Sequence, residues 1–401
     1  MGSKLIVLIV IVLGVVAVAQ LVRLYELSSK LRKEGEHETN SRDNSLNANL
    51  LLFFMGFLFI GFVYLMLKYG WTGMGEAASI HGKDTDWLLN INFVITIISF
   101  YFTNFLLFSF AHKYIRKPGV KAFYFPHDNK LEMVWTVIPA ITLSIIIILG
   151  LRSWNSITSD ADKESIVIEL FSKQFDWTAR YSGMDNKLGK FDYKLTSDDN
   201  ELALLTTNTI DSAIHRMNNG FTGIKALEAK LNDYNIVMSN SDREKLSTDL
   251  ERKSRLVRLL GQMRGHHDST IDAMAWDDII QKDTLFLCVN QEYEFNFRSK
   301  DVIHSAYFPH FRSQMNTVPG LTTRFKFTPN ITTKDMKLKM NNKDFHFILM
   351  CNKICGSAHY KMKMMVVVLD EDNYSEWMIS KKESTFRDSY FPVTETVAEI
   401  N

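Results

Sequence analysis

Four long apolar runs dominate the first 151 residues, at about residues 5–22, 50–67, 87–111 and 134–151. Each is long enough, or nearly so, to cross a bilayer as a helix, which takes roughly 20 predominantly apolar residues. The third contains Asn104 and other polar groups, but its length and lack of charge still predict a span. After Ser153 the pattern changes to short alternating segments. Residues 166–170, 175–181, 284–289, 293–297, 323–328, 345–350 and 362–369 read as strands. Many short strands with polar turns between them predict a sandwich or barrel.

Residues 197–276 interrupt the strands and are rich in Leu, Lys, Glu, Asp and Arg. Leu246, Leu250, Val257, Leu260 and Met263 share one helical face behind Ser241-Asp242-Arg243-Glu244, which has the form of a capping box. Leu202, Leu205, Ile210, Ile214 and Met217 make a second periodic stretch, and Ile224, Leu227, Leu231 and Tyr234 a third. This is a small helical insertion, either packed on itself or docking a partner. The expected fold class is a membrane α-helical N-terminal part with four transmembrane helices, followed by an all-β barrel with a helical insertion. The expected divisions are 1–86 (two helices and loops), 87–155 (a helical hairpin), 156–196 with 277–380 (the barrel), 197–276 (the insertion) and 381–401 (a tail).

Charge orients the spans. Arg23, Lys30, Arg32, Lys33 and Arg42 lie between the first and second runs, and Lys113, Arg116, Lys117, Lys121 and Lys130 between the third and fourth. Only Lys68 and Lys83 lie between the second and third. Basic loops stay in the cytoplasm, so both termini and the barrel are expected outside it. Ala17-Val18-Ala19 resembles a cleavage site that would leave Gln20 first, but three spans would then put the basic loops on the wrong side, so a retained anchor is expected. A formal net charge of +1 gives no reason to expect nucleic acid as a partner. Three cysteines are too few for a disulfide framework, and Cys288, in an apolar strand-like run, reads as a buried core residue.

The remaining cysteines stand in the most informative stretch of the chain. Cys351-Asn352-Lys353-Ile354-Cys355-Gly356-Ser357-Ala358-His359-Tyr360-Lys361-Met362 puts two thiols, an imidazole and a thioether in twelve residues. Asp301-Val302-Ile303-His304 supplies a second imidazole upstream. Thiolate with thioether selects copper. A zinc site or a disulfide is the plainer alternative, but methionine argues against zinc, and spacing alone does not establish disulfide geometry.

The stretch resembles the binuclear copper loop of subunit II of haem-copper cytochrome c oxidases. By that resemblance Cys351 and Cys355 are the bridging thiolates, His304 and His359 the imidazoles, Met362 the thioether and Lys353 the carbonyl ligand. The barrel is then a cupredoxin Greek-key barrel, with the copper ligands in loops at one end. Glu132-Met133-Val134-Trp135-Thr136-Val137-Ile138-Pro139 resembles the opening of the family's second helix. There a glutamate at the position of Glu132 sits near the cytoplasmic mouth of a proton path. The resemblance implies a subunit of an oxygen-reducing, proton-pumping enzyme in the bacterial plasma membrane. This chain would pass electrons to subunit I, which would hold the haems and the oxygen chemistry. The first two spans have no counterpart in the family's two-helix pattern and are expected to meet further oxidase subunits.

The departures carry information too. Gln174-Phe175-Asp176-Trp177 puts Phe175 where the family has the tryptophan that takes electrons from cytochrome c, while Trp177 keeps a later aromatic of that stretch. Donor electrons are expected to arrive differently, or from a tethered partner such as alternative complex III. Lys353 and Asn316 replace the acids that the family often turns toward a magnesium ion, so no such magnesium, or an altered one, is expected. No Cys-x-x-Cys-His occurs, so the chain carries no c-type haem and its donor is another polypeptide. Two alternatives share parts of this pattern: a membrane-anchored copper chaperone of the thioredoxin fold and a copper-free quinol oxidase subunit II. In the chaperone the histidine follows the cysteines at long range. The quinol oxidase subunit lacks the thiols and imidazoles.

Overall fold

The computed structural model describes residues 2–31, 41–70, 73, 75–382 and 384–391. Four helices come first: α1 (Gly2–Leu31), α2 (Ser41–Tyr69), α3 (Ile80–Lys113) and α4 (Asn129–Thr158). All four are long and apolar enough to cross a membrane, and their apolar stretches are unburied within the chain. Such an all-round apolar surface suits lipid or other spans rather than water. Helices α2 and α3 meet through rings: Phe59 lies 4.5 Å from Tyr101 and Phe62 5.4 Å from Phe100, centroid to centroid. Tyr101 also donates its hydroxyl to Phe59 O at 3.1 Å.

The chain divides into two compact units, residues 1–73 with 91–141 and residues 74–90 with 142–401. The second unit holds ten strands among the described residues. These are β1 (Ile166–Lys173), β2 (Asp176–Tyr181), β3 (Ile279–Lys282), β4 (Thr284–Cys288), β5 (Tyr293–Ser299), β6 (His304–Phe308), β7 (Ser313–Thr317), β8 (Thr323–Phe327), β9 (Phe347–Cys351) and β10 (Lys363–Leu369). They form two five-stranded sheets, ordered β3-β2-β1-β5-β8 and β4-β10-β9-β6-β7. The pairs β1–β5 and β4–β10 are parallel. This mixed two-sheet arrangement is the cupredoxin-like barrel expected from the resemblance.

Alternation explains the core. In β5, Tyr293, Phe295 and Phe297 point inward and are fully buried. Phe295 stacks on Phe327 at 4.8 Å and tilts against Phe308 at 5.6 Å, and Phe311 stacks on Phe327 at 4.9 Å. Truncating one such ring to alanine typically costs about 3–5 kcal/mol.

The opposite face of the first sheet hides charge. Glu169 of β1 accepts from Arg180 of β2 at 2.6 Å and from Arg298 of β5 at 2.6 and 2.7 Å. Arg180 also donates to Asp278 at 2.7 Å and to Gly189 O at 2.9 Å, and Arg298 to Leu202 O at 3.0 Å. Residues 189–204 thus lie over the sheet, adding the Gly189 and Leu202 carbonyls to the partners of the buried arginines. Leu202 and Leu204 pack there with Phe171 and Phe386.

From this cover the chain runs into α5 (Thr207–Asn219), α6 (Ile224–Asn232) and α7 (Asn240–His266), and returns through α8 (Ala273–Trp276). Ile210, Ala213 and Leu260 form a separate core with Leu195 and Ala203. Two details differ from the sequence reading. Ser239, not Ser241, caps α7, because its side chain is the one that accepts from Asp242 N, at 3.1 Å. Leu202 and Leu205 precede α5 instead of joining it, since Thr206 caps that helix reciprocally with Thr209. Three further helices, α9 (Thr333–Lys339), α10 (Glu371–Ser380) and α11 (Phe386–Tyr390), complete the unit. Of the predicted tail, 383 and 392–401 lie outside the described residues.

Residues 75–90 belong with the barrel. Ala78 N donates to His310 O at 2.8 Å, Ser79 Oγ to Phe311 O at 2.7 Å, and Arg312 Nε to Asp86 at 2.7 Å. The start of α3 is thereby tied to the β6–β7 turn.

Candidate metal centre

Sheet register assembles the site. Strand β6 begins on His304, strand β9 ends on Cys351, and Ala306 stands opposite Cys351 in the antiparallel pair. The first imidazole and the first thiol therefore emerge at the same end. Cys351 N donates to Met362 O at 3.0 Å just before β10 begins, so the loop between them is closed at its base. Within the loop, His359 opens a short 3-10 turn and its N–H reaches Gly356 O at 3.2 Å.

The donors converge. Cys351 Sγ lies 3.9 Å from Cys355 Sγ, 3.9 Å from His304 Nδ1 and 3.2 Å from Lys353 O. Cys355 Sγ lies 3.4 Å from His359 Nδ1 and 3.8 Å from Met362 Sδ. A sulfur separation of 3.9 Å leaves both thiols free, since a disulfide requires about 2.05 Å. His304, Cys351, Cys355 and Met362 are all buried, and His359 is half-buried. Burial above all, then the neighbouring Cys351, pushes the Cys355 thiol up to about 11. Without a metal the Cys355 sulfur keeps its proton, and a cation that binds there must displace it.

A surrounding shell fixes the ligands. Asp301 Oδ1 meets His304 Nε2 at 2.9 Å, which leaves Nδ1 facing Cys351. The second Asp301 oxygen accepts from Gln174 N at 2.7 Å, and the Gln174 side-chain amide donates to Cys355 O. Gln174 therefore bridges the histidine's support and the thiol loop. Its role was not legible in the sequence, where it stood only as the neighbour of Phe175; Asp301 was flagged there only by its spacing from His304. Gly356 has φ +144, and a Cβ on it would meet the Phe175 ring at 2.9 Å, so Phe175 lies directly on the loop. Trp177 is buried beneath, edge-on to His304 at 6.3 Å between centroids.

The other singled-out residues lie apart. Glu132 is half-buried in the first turn of α4, 3.7 Å from His127 Nδ1. The Lys353 and Asn316 side chains are exposed, and Asn316 belongs to β7. His267 bonds Asp272 at 2.6 Å, and neither it nor His266 joins a metal-ligand group among the described residues.

Six donors, two of them the cysteine sulfurs, exceed what one tetrahedral ion takes. The thioether and thiolates suit copper better than zinc or a hard cation. The donor set fits a soft, binuclear site.

The chain is similar to several known proteins. Residues 67–155 match the family model described as "Cytochrome C oxidase subunit II, transmembrane domain". The chain is 26% identical over 298 residues to the alternative cytochrome c oxidase subunit 2 of Bradyrhizobium diazoefficiens, covering 73% of this chain and 79% of that protein. It is 21% identical over 328 residues to cytochrome c oxidase subunit 2 of Corynebacterium glutamicum, covering 80% of this chain and 77% of that one. Among solved structures, the periplasmic domain of subunit II of cytochrome oxidase of Bradyrhizobium japonicum aligns with a TM-score of 0.28 at 13% identity, over 56% of this chain and 99% of that one.

Proposed function

The chain belongs to the cytochrome c oxidase subunit II family, and on that premise we propose that it receives electrons from an external donor and passes them to subunit I. The observation that carries this reading is the meeting of two thiols, two imidazoles, a thioether and a carbonyl oxygen at one end of the barrel. Cys351, Cys355, His304, His359, Met362 and the Lys353 carbonyl would together hold two copper ions. Bound copper would supply one-electron redox chemistry at a site whose ligands barely move. The chain's own part is to hold those ligands. Asp301 fixes the His304 ring, Gln174 ties the loop to that support, and the buried sulfurs are shielded from water. Rigid ligands keep reorganisation small.

Phe175, lying on the loop, is the proposed aromatic through which donor electrons arrive, with Trp177 behind it against His304. The donor is a c-type haem protein, cytochrome c itself or alternative complex III. Glu132 is proposed to stand at the mouth of a proton path into subunit I, with proton pumping carried out by the assembled enzyme. The barrel faces the periplasm, or outer side, of the plasma membrane. With Lys353 cationic and Asn316 an amide, this chain contributes no carboxylate to a magnesium site.

The test is the EPR and near-infrared spectrum of the copper-loaded, full-length chain. One unpaired spin shared equally by two copper nuclei is the expected result. A single-copper signal, or one copper per chain released readily to a chelator, would replace the electron-transfer reading with copper delivery.

A further inference from the structure

Residues 332–343 carry four lysines, Lys334, Lys337, Lys339 and Lys343, against one acid, Asp335. Asp335 is engaged at the start of α9, where its carboxylate accepts from Thr332 Oγ1 at 2.7 Å. Among the described residues Lys339 forms an ion pair with Glu76, whereas Lys334, Lys337 and Lys343 form none. Those three border a cavity of about 570 Å³ whose apolar wall includes Leu338, Val367 and Leu369. Asp370, which also lines it, is held by the Asn373 amide at 2.7 Å and feels the charge of Lys334. Leu338 is 74% exposed and Met340 46% exposed. Apolar side chains set among unpaired lysines are unfavourable in water and suited to an interface.

The fold places this patch beside the start of a membrane-spanning helix. Asn330 N donates to Ala78 O at 3.0 Å, and Ile80 N to Thr328 O at 3.1 Å. Ile80 opens α3, and its long apolar run starts seven residues later at Trp87. At 1.5 Å per residue that is about 10 Å along the axis. The polar layer on each side of a bilayer is roughly 5–8 Å deep. Lys83, Asp84 and Asp86 occupy the intervening turns, and Trp87 is exposed as an interfacial aromatic would be.

We propose that α9 and the loop after it dock on the membrane surface by binding anionic phospholipid headgroups. Lys334, Lys337 and Lys343 meet the phosphates, and Leu338 and Met340 enter the acyl boundary. The contact gives the barrel a second hold on the membrane besides the chain entering and leaving it. The same segment leads into β9 and so to Cys351, which couples that hold to the orientation of the metal loop.

The experiment is residue-by-residue lysine acylation, read by mass spectrometry, on the full chain in lipid nanodiscs. Discs of phosphatidylcholine alone are compared with discs containing one-third phosphatidylglycerol (about 33%, enough for a strongly anionic surface). Lys334, Lys337 and Lys343 are expected to react roughly fivefold more slowly in the anionic discs, and high salt should abolish the difference. Exposed Lys282 serves as the internal standard. Leu338→Gln with Met340→Gln, at exposed positions the core does not need, should reduce the protection. Equal rates in both discs would overturn the proposal. So would protection in neutral discs, which would mean that protein covers the patch. Protection by inorganic phosphate in neutral discs would make it an anion site unrelated to lipid, and would overturn the proposal equally.

Discussion

Asp301 decides which nitrogen His304 offers. With Nε2 engaged at 2.9 Å, only Nδ1 faces the sulfurs. Supports of this kind typically govern metal affinity by 10–100-fold. Asp301→Ala should therefore weaken copper retention by about tenfold or more, measured by competition with a copper chelator, while Asp301→Asn, which keeps an acceptor, should lose less. Retention unchanged in Asp301→Ala would show that packing alone holds the ring. The five side-chain donors were legible from residue type and spacing, because a metal restricts both. Gln174 and Gly356 were not. One acts through its backbone N–H and side-chain amide across a long sequence separation, and the other through the Cβ it lacks.

Elements were legible where burial is one-sided. Strand β5 alternates cleanly, and its sequence reveals it. Strands β6 and β7 have little alternation of apolar and polar residues; His304-Ser305-Ala306 is buried on both faces, so nothing in composition marked this segment as a strand. The charged cluster behind β1 was hidden for a similar reason, since Glu169 and Arg298 look like solvent-facing positions. Its carboxylates oppose each other in pH dependence. Burial disfavours the Glu169 anion, yet Arg180 and Arg298 prevail and hold it at about 2. Its contribution is complete above its ordinary value of 4.5 and is lost as pH falls through about 2. Asp278 behaves in reverse, raised by burial to about 7 against the pull of Arg180, with Oδ1 lacking a partner. Its contribution is complete below 3.8 and is lost as pH rises through about 7. Glu169→Gln should cost about 3–5 kcal/mol near neutrality and flatten the acid limb; Asp278→Asn should flatten the decline toward pH 7. Denaturant titrations across this range, followed by Trp177 fluorescence, test both, and parallel profiles for mutant and wild type would refute the assignment.

The insertion makes a separate prediction. Residues 189–204 bond the buried arginines, whereas α5, α6 and α7 pack mainly on one another. Asp272 accepts from Thr207 N at 3.0 Å, so the two ends of the helical excursion are close. Replacing 207–271 by a short glycine-serine linker should leave the barrel folded and the copper spectrum unchanged. Loss of the spectrum would mean that the helices support the metal loop. Donor-driven reduction rates in the same variant separate a docking role from a self-packed one.

At the scale of the whole molecule, four spans and one large β unit leave a single question of direction, and loop charge supplies the proposed answer. Five basic residues mark the first connection, five the third and only Lys68 and Lys83 the second. Retaining basic loops on the cytoplasmic side would put the connection after α4, and the barrel with it, on the outer side, as proposed. The connection between α3 and α4 provides the readout. Arg116 and Lys121 are exposed there, beside equally exposed Phe123 and Tyr124, and they are cleavable by trypsin. Trypsin added to intact spheroplasts should cut within the β unit and spare that loop. In inverted vesicles the loop should be cut and the β unit spared. The opposite pattern would turn the barrel toward the cytoplasm, away from the proposed donor, and would remove Glu132 from the side of the proposed proton path. Cleavage at both places from one side would mean that α4, the helix that separates the loop from the β unit, does not cross.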